Sequence, residues 1–194
     1  MMAPMENATR KYDGEDDGTL LAATSRGDGR AFEALYRRHQ RRVFSIAFGF
    51  FGGDPDRAAE IAQQVFVTIF RKSDVFRGDS EFTTWVYRVT INACIDERRR
   101  LSRFFGLDGI LGLRDERCRP EDLVRLAQAS THVRTAVASL RPKYRIPIVL
   151  KYTEGLGYQQ IAEVLGISIG TVSSRIHRAH TLLAKKLEHL RENI

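Results

Sequence analysis

Residues 157–179 read GYQQIAEVLGISIGTVSSRIHRA, and Ser173, Ser174, Arg175, His177 and Arg178 crowd into the last third of that stretch. Hydroxyls, an imidazole and two guanidinium groups offer hydrogen-bond donors and positive charge, which suits reading a nucleic acid. Arg175 and Arg178 are three apart and share a helix face, so one can fork onto guanine O6 and N7 while the other neutralises a phosphate. The residues before them must hold that face outward. Ile161, Ala162 and Leu165 form the inward side of a short first helix, Gly166 supplies a left-handed end, Ile167 packs into the turn and Ser168 caps a second helix. Val172 and Ile176, four apart, fasten the second helix to a core. The pattern is a helix-turn-helix whose second helix can enter a major groove, although a plain three-helix bundle shares its apolar spacing. His177 and His180 have no Cys or carboxylate in register, so no metal site is expected.

The rest of the chain supplies further helices and almost no alternating strand pattern. A short helix over TLLAATSRG comes first. Asp28 can cap a long one over GRAFEALYRRHQRRVFSIAFGFF, with Phe32, Leu35, Tyr36, Val43, Ile46, Ala47 and Phe50 on its apolar side. Asp54 followed by Pro55 starts a third, with a stripe at Ala58, Ile61, Val65 and Ile69. A loop over SDVFRGDSEF leads to a fourth from Phe82, with Phe82, Val86, Val89 and Ala93 inward and Arg98, Arg99 and Arg100 at its end. Periodicity then fails over 104–126, which reads as a flexible linker. Its Phe104, Phe105, Leu107, Ile110, Leu111 and Leu113 fit either a segment folded back on the protein or a strip ordered by a partner. A second helical domain runs over 127–194, and Pro147 within it should kink or delay a helix. The fold class is all-α: two helical domains, 17–103 and 127–194, after a disordered acidic start at 1–16.

At 194 residues and net charge +7 the chain is a basic, globular polypeptide with no run apolar enough for a membrane span and no signal-peptide layout, so a cytoplasmic location is expected. The charge is uneven. Residues 1–30 carry four Lys/Arg against six Asp/Glu, whereas 131–194 carry ten against four, which suits a polyanion partner at the C-terminal end. Cys94 and Cys118 form no C-x-x-C pair and read as reduced thiols. No catalytic constellation and no phosphate-cradling glycine loop is present, so neither an enzyme activity, a cofactor nor a small-molecule substrate is expected.

Three stretches in this order carry a family resemblance: GDGRAFEALYRRHQRRVF; DRAAEIAQQVFVTIFRK followed by FRGDSEFTTWVYRVTINACIDERRR; and LRPKYRIPIVLKYTEGLGYQQIAEVLGISIGTVSSRIHRAHTLL. Together they resemble a bacterial sigma factor of the extracytoplasmic-function group of the sigma-70 family, which keeps only regions two and four. The resemblance implies that 17–103 is region two, docking on core RNA polymerase and opening the minus-ten element. It places the polymerase contact at Glu60, Gln63, Gln64 and Phe66, with Gln64 standing where an acidic residue is usual. It maps minus-ten recognition to Phe76, Arg77, Ser80, Thr83, Trp85, Arg88 and Asn92, and duplex phosphate contacts to Arg98, Arg99 and Arg100. Aromatic rings that stack unpaired bases and arginines that hold the backbone make physical sense of that surface, while Trp85 also fits a core position. Residues 127–194 become region four, reading the minus-thirty-five element through Thr171, Ser173, Ser174, Arg175, His177 and Arg178. Gly157 replaces the usual Ser or Thr cap before YQQIA. The linker would thread toward the polymerase active-site channel, and an anti-sigma protein, often membrane-bound in the family, would be a regulator.

Two rivals make different demands. A self-sufficient helix-turn-helix regulator would dimerise through its N-terminal bundle and bind a palindrome without polymerase. A site-specific recombinase would need a nucleophilic Ser among arginines on a strand-rich domain, and the N-terminal half offers no strand pattern.

Overall fold

The computed structural model describes Tyr12, residues 14–76, 80–105 and 121–188, with the backbone alone for Phe105 and residues 121–129. Eight α-helices and no strands make up the described residues: α1 Asp17–Ser25, α2 Gly29–Phe50, α3 Pro55–Arg71, α4 Phe82–Phe105, α5 Glu121–Ala138, α6 Pro142–Thr153, α7 Tyr158–Leu165 and α8 Ile169–Lys186. Local chemistry sets most of their boundaries. The Asp28 carboxylate accepts from the amides of Arg30 and Ala31, and Asp54 accepts from Arg57 ahead of Pro55. Ser168 accepts from the Thr171 amide, and Gly166 ends α7 at φ 62°. Gln160 Oε1 accepts from the Gly157 amide at 2.9 Å, which supplies half of a capping box without a side chain at the cap itself.

In the N-terminal half α2 packs on α1, α3 and α4 around Leu35, Val43, Ile46, Ile61, Val65 and Val86, all at most 2% exposed. The α3 stripe is as expected. The buried side of α4 is broader than expected: Phe82, Val86, Tyr87, Ile91 and Cys94 are buried, while Val89 and Ala93 are only partly so. α4 is covered by α7 as well as by α2 and α3, so no single stripe describes it. Tyr36 also departs from its expected inward place and is 41% exposed. In α7 the fully buried residue near the turn is Val164, with Leu165 half-buried against the core.

Three further expectations need correction. Tyr12, inside the stretch read as disordered, is buried, and its hydroxyl donates to Asp28 at 2.5 Å. Burial of the aromatic ring is enough to hold Tyr12 itself, while residues 1–11 lie outside the described residues. Pro147 does not delay α6, which starts at Pro142 and continues through it to Thr153. The proline ring's fixed φ is itself helical and one ladder bond is lost, and burial of the whole Arg145–Leu150 run offsets that loss. The helix α5 starts at Glu121, ahead of the linker boundary at 126, with two acids in its first turn that suit a helix N-terminus. Residues 106–120, Cys118 among them, lie outside the described residues, and Phe104 at the end of α4 is 76% exposed.

The two halves pack on each other. α2 lies against α5 and α6, and α4 lies against α7. Gly49, inside α2, permits the approach: a Cβ there would stand 3.3 Å from Thr153 Oγ1 and 3.4 Å from Val149 Cγ1.

Candidate nucleic-acid interface

The helix-turn-helix presents the face its sequence requires. Val172, Ile176 and Ala179 are buried and fix α8, leaving Ser173, Ser174, His177 and Arg178 exposed and Arg175 half-exposed. Thr171 has a different job from a free base reader, because its hydroxyl and amide both engage Ser168 at the cap, at 2.9 and 3.1 Å. The Ser174 hydroxyl donates back to Thr171 O. Ser173, His177 and Arg178 therefore make up the free polar part of the exposed face. Beyond them, His180 Nε2 lies 2.9 Å from the exposed Tyr152 hydroxyl, a pairing that links α8 to α6 and that neither helix's own periodicity predicts.

On α4 the expected minus-ten residues form two groups. Phe76, Phe82 and Trp85 make a cluster of rings with centroids 5.3–5.7 Å apart. Trp85 is half-buried against the core, so one edge serves packing while part of the ring stays accessible. Thr83 and Ser80 are also half-buried beside this cluster in sequence, and Asn92 is exposed. Arg77 lies outside the described residues. Further along, Arg99 and Arg100 are exposed but paired, with Asp96 at 3.4 Å and Glu97 at 2.7 Å, while Arg98 is half-exposed. Arg88 points elsewhere: its guanidinium donates to Glu163 O at 2.9 Å and Val164 O at 3.3 Å, at the C-terminal end of α7.

The third surface is an apolar groove of about 990 Å³ between α2 and α3. Tyr36, Phe44, Val67 and Phe70 line it and are each 36–48% exposed, with Arg37, Arg41 and Arg71 at its rim. Gln63 lines it too, and Glu60 and Gln64 stand exposed on the same helix. Phe66 is 4% exposed and forms the floor, edge-on to Phe32 and Tyr36. Sequence reasoning found Gln63 and Phe66 but missed the aromatic wall. Exposed apolar residues on an amphipathic helix cannot be told from core by spacing alone.

A polar chain crosses between the halves. Asp17 accepts from Arg38 at 2.6 Å and from His39 Nε2 at 2.8 Å, while Arg42 donates to His39 Nδ1 at 3.2 Å. Arg42 also reaches Glu154 at 3.2 Å, and the Tyr87 hydroxyl donates to the same oxygen at 3.4 Å. Burial raises Tyr87 to about 12 and keeps it protonated. Burial also raises Glu154 above its ordinary 4.5, with the Arg42 charge and the hydrogen bonds from Arg42 and Tyr87 only partly opposing it. A carboxyl whose folded pKa exceeds the unfolded one contributes stability that is complete below the unfolded value and is lost as pH rises through the folded value. Glu154→Gln is therefore expected to leave the thermal midpoint at pH 7 unchanged or raised, and to flatten this part of its pH dependence. Melting both proteins at pH 5 and pH 7 checks it, and a Gln variant that melts well below wild type at pH 7 contradicts it.

The comparisons with known proteins agree with this geometry. Sigma-70 region 2 matches residues 35–104 and sigma-70 region 4 matches residues 131–183. The RNA polymerase sigma-H factor of Pseudomonas aeruginosa is 32% identical over 189 residues, covering 91% of this chain and 96% of that protein. The ECF RNA polymerase sigma factor SigW of Bacillus subtilis is 32% identical over 180 residues, covering 88% and 96%. Among solved structures, CnrH in complex with the cytosolic domain of CnrY superposes with TM-score 0.64 at 26% identity, covering 90% of this chain and 99% of that one. The Bartonella quintana sigma factor RpoE, solved with the anti-sigma factor NepR, shares the fold with TM-score 0.61 at 22% identity, over 81% and 96%. No described helix is long and apolar enough to cross a membrane. With a recognition helix turned outward, regions two and four matched in order and relatives alike along nearly their whole length, the chain belongs to the extracytoplasmic-function group of the sigma-70 family of sigma factors.

Proposed function

We propose that this sigma factor binds core RNA polymerase through the α2–α3 groove, reads and opens the minus-ten element with the α4 surface and reads the minus-thirty-five element through α8. It acts in the cytoplasm without catalysing a reaction itself. The observation that carries the docking assignment is the groove. A trough walled by Tyr36, Phe44, Val67 and Phe70 on a chain with net charge +7 is an exposed apolar patch of the kind that marks a protein partner. Glu60, Gln63 and Gln64 beside it supply the polar rim, with Phe66 beneath as support. The two-region division at 17–103 and 127–194 follows the same assignment. Regulation by an anti-sigma protein finds support in the Bartonella quintana sigma factor RpoE, which was solved with the anti-sigma factor NepR.

For promoter reading, Phe76, Trp85 and Asn92 offer stacking and hydrogen bonding to unpaired bases, with Ser80, Thr83 and Arg88 beside them, Arg77 as a further cation of the same sequence stretch, and Arg98 and Arg99 positioned for duplex phosphates. Upstream, Arg178 and His177 reach base edges while Ser173, Ser174 and Arg175 position α8 on the backbone, and Thr171 holds the helix start.

Reconstitution with core RNA polymerase on the promoter upstream of its own gene tests the reading. Specific initiation is expected only with both components. A bidentate arginine–guanine pair discriminates by about 1–3 kcal/mol, so Arg178→Ala is expected to lower initiation there by roughly tenfold or more. A protein that ignores core polymerase and binds a symmetric site tightly by itself is instead a dimeric regulator.

A further inference from the structure

The exposed side of α8 has two borders of different chemistry. Val172, Ile176 and Ala179 form its buried seam. Spacings of three and four place Thr171, Arg175 and Arg178 along one border of that seam and Ser173, His177 and His180 along the other. A helix about 10–12 Å across fills a major groove about 12 Å wide, so each border faces the sugar-phosphate chain of one strand. Arg175 and Arg178 equip the first border with two guanidinium groups. The second border has a hydroxyl and two imidazoles, and none of those three side chains is a guanidinium or an ammonium.

The last turn of α6 supplies what that border lacks. Its Tyr152, 63% exposed, brings a hydroxyl to 2.9 Å from His180 Nε2, with the two ring centroids 5.9 Å apart. Lys151 stands beside the pair, its Nζ 5.8 Å from the centre of the Tyr152 ring and 4.8 Å from that of Tyr158. Holding two exposed side chains in one geometry costs conformational freedom, and neither ring belongs to the core cluster that could repay it. His180 lies seven residues after Ser173, about 10 Å further along the helix axis. Base edges meet the first turns of a recognition helix. At His180 the border has therefore reached the rim of the groove, where the phosphates are.

We propose that Tyr152 and His180 form a phosphate seat for the second strand of the upstream element: the Tyr152 hydroxyl donates to a backbone phosphate oxygen, and His180 donates from Nε2 to the Tyr152 oxygen behind it. The seat rests on the promoter-reading assignment above and adds two residues that the assignment does not contain. Tyr152 is the contact residue, and His180 positions it. Two hydrogen bonds in series toward an anion polarise each donor and strengthen the terminal bond. Lys151 adds positive charge at the same place. The contact is to the backbone, so it fixes the register of α8 and carries no base preference.

The test uses holoenzyme reconstituted from the full chain and core RNA polymerase, with fluorescence anisotropy on a labelled duplex of the promoter upstream of the gene. Phosphates flanking the upstream element are replaced one at a time, on both strands, by neutral methylphosphonates. Tyr152→Phe keeps the exposed ring and loses only the hydroxyl. Loss of a hydrogen bond to a charged group is expected to weaken binding by about tenfold. The same factor is expected on a duplex with one base of the element changed, because the phosphate remains. One phosphate on one strand is expected to matter to wild type and not to Tyr152→Phe. His180→Ala is expected to weaken binding by less, and to add nothing to Tyr152→Phe because it acts through that hydroxyl. Wild-type affinity in Tyr152→Phe overturns the seat. So does a His180→Ala penalty that persists in the double variant, or a phosphate scan that is the same with and without the hydroxyl. A Tyr152→Phe chain that co-elutes poorly with core polymerase in the absence of DNA sets this surface against polymerase and overturns the seat as well. Arg178→Ala separates the two levels. If it too leaves binding unchanged, the upstream-reading assignment of α8 falls; if it weakens binding while Tyr152→Phe does not, the seat alone falls.

Discussion

Phe70→Asp is expected to abolish association with core polymerase while leaving the fold intact. Phe70 sits on α3, 48% exposed, with its ring edge-on to Phe32 at 5.1 Å and most of its outer face in the groove. Covering an aromatic side chain contributes about 1.5–3 kcal/mol of binding. A carboxylate in the same place is desolvated without a partner, which adds roughly 1–3 kcal/mol more. Arg71 and Arg37 at the rim offset part of that second cost, because either can lean toward the new charge. The sum stays near or above 3 kcal/mol, and at 1.4 kcal/mol per tenfold the affinity falls by about a hundredfold or more. Loss of one edge contact costs the free protein on the order of 1 kcal/mol, so the melting midpoint falls by only about 2–4 °C. Gel filtration with core polymerase, with circular dichroism as the folding control, separates the two effects. Undiminished co-elution of Phe70→Asp would show that the groove is not the docking face. Gln64 gives the opposite sign: it is exposed on the same helix, and Gln64→Glu restores the acid usual in the family. That variant is expected to tighten docking, by less than tenfold since a rim charge contributes about 0.2–1 kcal/mol.

The features legible in the sequence were those decided within a few residues. Asp28, Asp54 with Pro55, Gly166 and Ser168 each end or begin a helix through hydrogen bonds to amides at most three residues away, or through a backbone angle that glycine alone adopts readily. The outward face of α8 followed from Val172 and Ile176 for the same reason. What escaped depends on a partner far along the chain. Arg42 and Glu154 are 112 positions apart, and Arg88 and Glu163 are 75 apart. Tyr36 fits the apolar spacing of α2, yet it lines a groove because none of the described residues covers that side. Trp85 was ambiguous between core and surface, and the fold makes it partly each. Arg88 shows the limit best: residue type marked it as a ligand for oxygen atoms, and the fold supplies carbonyl oxygens where a strand of DNA would supply phosphates.

Arg145 extends that theme to stability, and its replacement should have the largest effect on folding. It is 1% exposed, has no carboxylate partner among the described residues and leaves Nε without a hydrogen bond. Burial lowers its pKa to about 9, with the nearby Arg98 charge adding to the effect, so the guanidinium remains charged at neutral pH. What holds a buried cation here is a pair of chain ends. Arg145 donates to Phe50 O, where α2 terminates, and to Leu140 O at 2.8 Å, just beyond the end of α5, while its guanidinium stacks over the Phe50 ring at 4.8 Å. Two helix C-termini supply the negative potential that an acid would otherwise provide. Arg145→Ala removes both donors, strands two buried carbonyls and opens a cavity; it is expected to cost about 3–5 kcal/mol, a range set by breaking buried charged contacts and by large-to-small core changes. In a domain of 150–250 residues each kcal/mol moves the midpoint by about 2–4 °C, so the expected fall is of order 10 °C. Arg145→Met fills most of the space and removes the desolvated charge, leaving the orphaned carbonyls as the main loss, and should recover around half of that fall. Arg145→Lys keeps the charge but not the fork: one ammonium cannot span two carbonyls in the guanidinium's geometry, and it is more strongly hydrated, so burying it costs more. The order Arg, Met, Lys in thermal midpoint is the discriminating result. A Lys variant as stable as wild type would mean that charge alone matters at this site, and that the two helix ends are not bridged.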